Sequence, residues 1–157
     1  MNIFYLDKCP KISAKYQYNK HVVKMILESA QMLCTAHHEL LHDPLVPYKK
    51  AHRHHPCTVW TMRSGQNYAW LYYHMMALGD EYTKRYNKTH LSIIKCEDKL
   101  AKLPGGILET GFEQPPQAMP DEYKNKCSIQ AYWNYYIGDK SHIAHKSETI
   151  YKYRPNE

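Results

Sequence analysis

The segment that most constrains the fold is a run of seventeen residues from Lys20 to Ala36. It contains neither proline nor glycine, and at 100° per residue its apolar side chains cover most of the helical circumference. The remaining side chains form one narrow polar stripe: His21, Lys24, Glu28, Gln31 and Thr35. A helix that is apolar on nearly all sides is buried, so we predict that this stripe faces a cleft or an internal polar network.

Helical periodicity extends over most of the remaining chain, and no internal repeat or low-complexity linker divides it. The pattern predicts one or two helices over about 11–41, a helical region over 57–86 that is interrupted near 64–65, a helix over 89–102, and an aromatic helix over 128–137 that ends at Gly138. We therefore predict an all-α fold, with residues 1–157 forming a single compact domain of three to four main helices, irregular loops and an extended basic C-terminal tail.

The charge balance favours a polyanionic partner. The chain has 21 Lys and Arg against 15 Asp and Glu, a net charge of +6, together with 15 tyrosines. Cations interleaved with aromatic rings are suited to neutralising phosphates while stacking on bases. We therefore expect a nucleic-acid partner, although tyrosine also fills the cores of small domains.

Cysteine usage and hydropathy indicate a protein that works in a reducing compartment without crossing a membrane. The five cysteines form no C-x-x-C pair, no apolar run approaches the roughly 20 residues that span a bilayer, and the first residues do not resemble a secretory signal. The expected location is the cytoplasm, and the expected oligomeric state is a monomer.

The polar stripe is the first candidate for chemistry. His21 and Glu28 are seven residues apart and thus lie two turns apart on one face, with Lys24 between them. Three ionisable groups on a buried helix are suited to proton transfer. The alternative is a buried ion pair that only specifies how helices pack.

The second candidate is the loop His52-Arg53-His54-His55-Pro56-Cys57, which follows three further histidines at 37, 38 and 42. Its density of histidine suggests zinc, but its spacing matches no tetrahedral motif, so we predict phosphate contacts and no metal ligands. The predicted DNA-binding residues are Gln31, Lys49, Lys50, Arg53, His54, His55, Arg63, Lys140, Lys146, Lys152 and Arg154.

Two further segments are candidate sites. The turn over 117–124 contains adjacent acids that suggest a helix start at Asp121. The aromatic run over 131–136 precedes the basic tail and is suited to stacking on distorted DNA, although most of its rings are expected in the core.

Several of these blocks together resemble a group of small phage proteins, many from marine phages, and more distantly the pyrimidine-dimer DNA glycosylases of the endonuclease V type. The blocks cover nearly the whole chain: the opening Met-Asn-Ile-Phe-Tyr-Leu-Asp, residues 20–33, His55-Pro56-Cys57, the run over 67–71 and the turn over 117–124. Members of that glycosylase family are single all-α domains that excise ultraviolet photoproducts.

The resemblance implies a mechanism and its residues. In that family the N-terminal α-amine attacks the sugar C1′ and forms a Schiff base, a glutamate on the first long helix assists, and a histidine seven residues earlier lies nearby. Carried onto this chain, the catalytic residues are the amine of Met1 or, if Met1 is removed, of Asn2, together with Glu28, His21 and Lys24. The implied substrate is damaged double-stranded DNA, and the chemistry needs no cofactor.

Two other functions are compatible with the sequence. One is a metal-dependent nuclease that uses the histidine-rich loop, and it predicts sensitivity to chelators. The other is a phage accessory protein that binds nucleic acid without catalysis, and it predicts that Glu28→Gln leaves the biological activity intact.

Overall fold

The computed structural model describes residues 1–41 and 45–143, and every regular element in these two ranges is helical. The α-helices α1 to α6 span Pro10–Tyr16, Asn19–Leu41, Pro56–Arg63, Gly65–Tyr86, Leu91–Leu100 and Ser128–Tyr135. Single turns lie at Asp121–Tyr123, before α6, and at Tyr136–Lys140 and Ser141–Ile143, after it. The all-α prediction is confirmed, whereas most of the predicted basic tail lies outside the described residues. Across the two described ranges, no helix has the length and apolar character needed to cross a membrane.

The predicted interruption of the second helical region is a sharp break at Ser64. This residue ends α3 in an extended conformation, and its hydroxyl accepts the Asn67 N–H as the N-cap of α4. Proline stands in the first turn of both α1 and α3, where its missing N–H costs no helical hydrogen bond. These local features set the helix boundaries that the sequence predicts to within a few residues.

Two predictions about helix ends are wrong. Gly138 does not end the last helix, because the chain continues through it in a π turn. A Cβ atom at Gly138 would lie 2.5 Å from Tyr123 Cε1, so this glycine admits a tyrosine ring against the backbone. Asp121 begins only a single 3₁₀ turn, because the chain is extended again at Lys124.

Helix α2 packs against α3, α4 and α5. Its inner face is fully buried, but Val23 and Leu27 are each 38% exposed beside Lys24. The prediction that α2 is buried on nearly all sides is therefore wrong for this strip, which faces outward. The polar stripe is divided in consequence: His21 and Glu28 are buried, whereas Lys24 reaches solvent.

The first six residues form an irregular segment that runs through the core. Residues 3–6 are each no more than 3% exposed although they belong to no helix or sheet. Buried backbone groups need partners, and here side chains supply them. The Ser13 hydroxyl of α1 accepts the Leu6 N–H at 3.0 Å and donates to the Phe4 carbonyl at 3.2 Å.

Two further side chains complete this pairing. Gln17 Nε2 donates to the Ile3 carbonyl at 3.1 Å, and the indole N–H of Trp133 on α6 donates to the Leu6 carbonyl at 2.9 Å. The N-terminal segment is thus held between α1 and α6 by hydrogen bonds at defined positions. Its register along the core fixes where the chain terminus lies.

We expect Gly79→Ala to destabilise the protein by about 1–3 kcal/mol through overpacking. A Cβ atom there would lie 2.7 Å from Ile93 Cγ1 and 2.8 Å from its Cδ1, between α4 and α5. This clash outweighs the gain in helix propensity of about 1 kcal/mol. Urea denaturation measures the difference, with Gly65→Ala as the matched control because its Cβ would meet only ordinary contacts from 3.4 Å. A Gly79→Ala protein as stable as the control would contradict this packing.

Candidate active site

The α-amine of Met1 forms an ion pair with Glu28. Its nitrogen lies 3.2 Å from Glu28 Oε1, and the glutamate side chain is only 11% exposed. The N-terminal segment delivers the amine, and α2 delivers the carboxylate from its buried flank. Because both groups are largely shielded from water, their attraction is stronger than that of a surface pair.

The second carboxylate oxygen of Glu28 has no hydrogen-bond donor among the described residues. Lys24 Nζ lies 3.8 Å away, which is too long for a hydrogen bond, and the lysine side chain is 70% exposed. A buried carboxylate oxygen without a donor is costly, so the site has an unused acceptor next to the amine. Lys24 lies at the solvent edge of this site.

His21 lies two turns before Glu28 on α2, in an aromatic cage. Its ring stacks on Phe4 with a centroid distance of 4.1 Å and an interplanar angle of 12°. Its Nδ1 is 2.6 Å from the hydroxyl of Tyr136, which also accepts the Tyr18 N–H at 3.0 Å. Burial, reinforced by Lys140 and Lys24, lowers the pKa of His21 to about 3, so the imidazole is neutral at physiological pH.

His55 and Cys57 also belong to this region. His55 Nδ1 accepts the Cys57 N–H at 3.1 Å and caps α3. Burial is the main cause that lowers the pKa of His55, and the α-amine lowers it further, while Glu28 acts in the opposite direction. Burial raises the pKa of the Cys57 thiol to about 12, and the thiol interacts with the hydroxyl of Tyr132. His55 therefore lies within electrostatic reach of both members of the ion pair.

Asn2 does not present a free amine, because its nitrogen is part of the peptide bond to Met1. Its side chain instead bonds to the backbone. Oδ1 accepts the N–H groups of Ile3 at 2.7 Å and Phe4 at 3.0 Å, and Nδ2 donates to the Ala118 carbonyl at 2.9 Å. In this structure the amine next to Glu28 is that of Met1.

The predicted DNA-binding loop is cationic but partly neutralised. Lys50 Nζ and Arg53 Nε each lie 2.6 Å from a carboxylate oxygen of Glu39, near the end of α2. These two cations hold the pKa of Glu39 below its usual range. Arg63 pairs similarly with Glu113 at 3.1 Å.

The other predicted DNA-binding residues are distributed unevenly. Lys49 and His54 are exposed, Gln31 is half-buried on α2, and Lys140 pairs with Asp139 at 3.7 Å while it lies over the Tyr135 ring. Lys140 is close enough to influence His21 electrostatically. Lys146, Lys152 and Arg154 lie outside the described residues.

The geometry of the histidine-rich loop bears on whether it could bind a metal. Within residues 1–41 and 45–143, no three His, Cys, Asp or Glu side chains converge in a way that could hold an ion. His52 has a positive φ of 47° in the turn, and His55 uses Nδ1 to cap α3, so neighbours in sequence do not point to one centre. His42, one of the three histidines that precede the loop in sequence, lies outside these ranges.

Comparison with known proteins decides the family. The model of the family described as pyrimidine dimer DNA glycosylase matches residues 1–94, which is well over half of the 157 residues. The chain belongs to the pyrimidine dimer DNA glycosylase family. No curated protein and no solved structure matched the chain. Membership assigns it generally to the DNA glycosylases of DNA repair, with DNA as substrate.

The region of the chain that matches the family model contains the ion pair itself. Met1, His21, Glu28 and His55 all lie within residues 1–94. Two groups that brace these residues lie beyond it: the Ala118 carbonyl accepts a hydrogen bond from Asn2 Nδ2, and the Tyr136 hydroxyl contacts His21. The site of this glycosylase is therefore assembled from both ends of the chain.

Of the predicted catalytic residues, the structure brings Met1 into contact with Glu28 and places Lys24 3.8 Å from it, but sequence reasoning missed the residues that hold this site. Phe4, Tyr132 and Tyr136 read as core aromatics, and no local pattern relates a tyrosine to a histidine 115 residues away. Cys57 was named only as part of the histidine-rich loop, and its contact with the Tyr132 hydroxyl was not predicted. The sequence signal that points to such contacts is the high number of tyrosines, 15 in all, since some of their hydroxyls are expected to act as hydrogen-bond partners.

Acid should destabilise the folded glycosylase because its buried histidines must remain neutral. Burial lowers the pKa of His21 to about 3 and that of His74 to about 4, below the usual value of 6.5. Between those pH values the unfolded chain binds more protons, so stability is complete above pH 6.5 and falls toward pH 3–4. Each histidine contributes a slope of up to about 1.4 kcal/mol per pH unit.

Denaturant titrations between pH 7 and pH 4 measure this slope. His21→Gln should make it shallower by about 1 kcal/mol per pH unit, whereas His54→Gln, at an exposed position, should leave it unchanged. An identical pH dependence in wild type and His21→Gln would show that His21 titrates normally in the folded protein.

Proposed function

We propose that this protein excises ultraviolet-induced pyrimidine dimers and then cleaves the abasic strand, using the Met1 α-amine as nucleophile and Glu28 as the proton-transfer group. The observation that carries the proposal is the contact of 3.2 Å between Met1 N and Glu28 Oε1. Membership in the pyrimidine dimer DNA glycosylase family supports the substrate. The enzyme acts as a monomer on damaged double-stranded DNA without a cofactor.

The ion pair supplies a direct route for activating the amine. An ammonium group is not nucleophilic, so one proton must leave before attack. Glu28 Oε1 is within reach to accept that proton. A backbone α-amine is more easily neutralised near physiological pH than a lysine side chain, which makes the chain terminus the better nucleophile.

The neutral amine attacks C1′ of the damaged nucleotide, and the glycosidic bond breaks with its electron pair leaving on the base. The attached nitrogen then gives one of its two protons to the departing base, and its lone pair forms the C1′=N bond as the C1′–O4′ bond opens, which leaves a protonated Schiff base. Protonated Glu28 delivers its proton to O4′. These steps leave a ring-opened sugar covalently joined to Met1 and a carboxylate on Glu28.

The same carboxylate then removes a proton from C2′. The electron pair forms the C2′=C3′ bond and expels the 3′ phosphate, which cuts the strand by β-elimination. Water finally hydrolyses the imine and frees the amine. The Glu28 oxygen that lacks a hydrogen-bond donor among the described residues supports this second role, because it remains available as a base.

The exposed cations supply affinity and the lesion supplies selectivity. Lys24 at the edge of the site and Lys140 near His21 are suited to flanking phosphates, and the loop over 49–55 extends the positive surface. A pyrimidine dimer pairs and stacks poorly, so flipping a nucleotide out of the duplex costs less there.

We expect Glu28→Gln to reduce strand cleavage and Schiff-base trapping at least about 100-fold, because the variant cannot accept or donate the required protons. The substrates are duplex oligonucleotides with one cyclobutane thymine dimer or one abasic site, incubated in EDTA with borohydride. The wild-type adduct should map to the Met1 peptide. DNA binding by Glu28→Gln should persist.

Glu97→Gln on the exposed face of α5 is the matched control and should retain wild-type activity. Failure of the wild type to form an adduct on either substrate would refute the lyase mechanism. Loss of cleavage in EDTA would favour a metal-dependent nuclease instead, and full activity of Glu28→Gln would remove this residue from the chemistry.

Glu39→Gln should strengthen binding to undamaged DNA, because it releases Lys50 and Arg53 from their shared carboxylate. If the loop over 49–55 contacts phosphates, the slope of log K against log salt should become steeper by about 1. Fluorescence anisotropy between 50 and 200 mM salt measures the slope. Lys50→Gln is the converse variant and should make the slope shallower, whereas unchanged slopes in both would exclude this loop from the interface.

A further inference from the structure

We propose that Asn2 is a positioning residue that sets the direction of the Met1 α-amine. This inference rests on the proposed function, since it concerns how the nucleophile is held. Asn2 follows the amine directly, and a one-residue segment offers little freedom between a fixed Asn2 and the terminal nitrogen. Whatever fixes Asn2 therefore fixes the approach of the amine to Glu28 and to the sugar.

The Asn2 side chain makes three hydrogen bonds, and all three are to backbone groups. Oδ1 accepts two successive N–H groups, from Ile3 at 2.7 Å and from Phe4 at 3.0 Å. Nδ2 donates to the Ala118 carbonyl at 2.9 Å. Because the oxygen faces two donors and the nitrogen faces an acceptor, only one orientation of the amide forms all three hydrogen bonds. The side-chain conformation is therefore fixed.

The turn that Asn2 closes is conformationally demanding. Phe4 adopts a positive φ of 54°, which is costly for an aromatic residue and needs compensation from its surroundings. The hydrogen bond from the Phe4 N–H to Asn2 Oδ1 and the stack of Phe4 on His21 supply that compensation. The amine and the buried histidine are thereby coupled through a single turn.

The Ala118 carbonyl is itself held in place. The Tyr132 hydroxyl donates to the Pro116 carbonyl at 2.6 Å and accepts the Ala118 N–H at 3.4 Å. Tyr132 is fully buried on α6. Asn2 is thus tied to a loop that is anchored in the core, and it transmits that rigidity to the chain terminus.

The test uses two replacements whose side chains have the same number of heavy atoms as asparagine. Asn2→Leu loses all three hydrogen bonds, whereas Asn2→Asp keeps the two that close the turn and loses the donor to Ala118. Both side chains are too large for efficient removal of Met1, which intact mass measurement verifies, so the nucleophile does not shift along the chain. Small replacements such as serine are unsuitable for that reason.

The readout is the single-turnover rate of borohydride trapping at saturating abasic DNA, compared with affinity for a duplex that carries a tetrahydrofuran abasic analogue. We expect Asn2→Leu to lower the trapping rate about 10- to 100-fold, because a displacement near 1 Å has effects of that size. Its affinity for the analogue should change less than about twofold, and Asn2→Asp should trap at an intermediate rate.

Gln66→Leu is the matched control, because Gln66 on α4 also accepts a backbone N–H, that of Gly111 at 3.1 Å, but makes no hydrogen bond to Asn2 or to the Ala118 loop. It should trap at the wild-type rate. Trapping by Asn2→Leu within threefold of wild type, or a loss of analogue binding equal to the loss of rate, would overturn the assignment. A wild-type protein that forms no adduct would instead overturn the proposed function and, with it, the role of Asn2.

Discussion

The structure depends on satisfying the backbone of a buried segment that has no secondary structure. Residues 3–6 cross the core at no more than 3% exposure, and their polar groups are paired by side chains of Ser13, Gln17 and Trp133. Each unpaired group there would cost on the order of 1–3 kcal/mol. The pairing therefore allows only one register of the segment, and that register brings the terminal amine to Glu28.

Burial also keeps the surroundings of the site mostly neutral. His21 is uncharged in its aromatic cage, and the thiol of Cys57 remains protonated through burial. The ammonium group of Met1 and the carboxylate of Glu28 thus face each other with little competition from buried charges, while the cations Lys24 and Lys140 stay at the rim. Such an arrangement would keep the proposed proton transfer inside the site and the proposed phosphate contacts at its rim.

Local sequence patterns predict the helices well and the bracing contacts poorly. The period of α2, the break at Ser64 and the proline at the start of α3 are encoded within a few residues. The exposure of Val23 and Leu27 and the passage of a helical turn through Gly138 depend on what packs nearby, which periodicity does not encode. The pair of His21 and Glu28 follows from spacing alone, but Tyr136 contacts His21 from 115 residues away and has no local pattern to reveal it.

That long separation has a consequence for how the protein matures. Asn2 bonds to a residue 116 positions later, and Leu6 bonds to one 127 positions later, so the amine cannot be fixed until the last third of the chain exists. At translation rates of about 5–20 residues per second, the terminus would wait on the order of ten seconds after it leaves the ribosome. During that interval the first residues lack their final partners, and the amine reaches its final position only after residues 118–133 have been made.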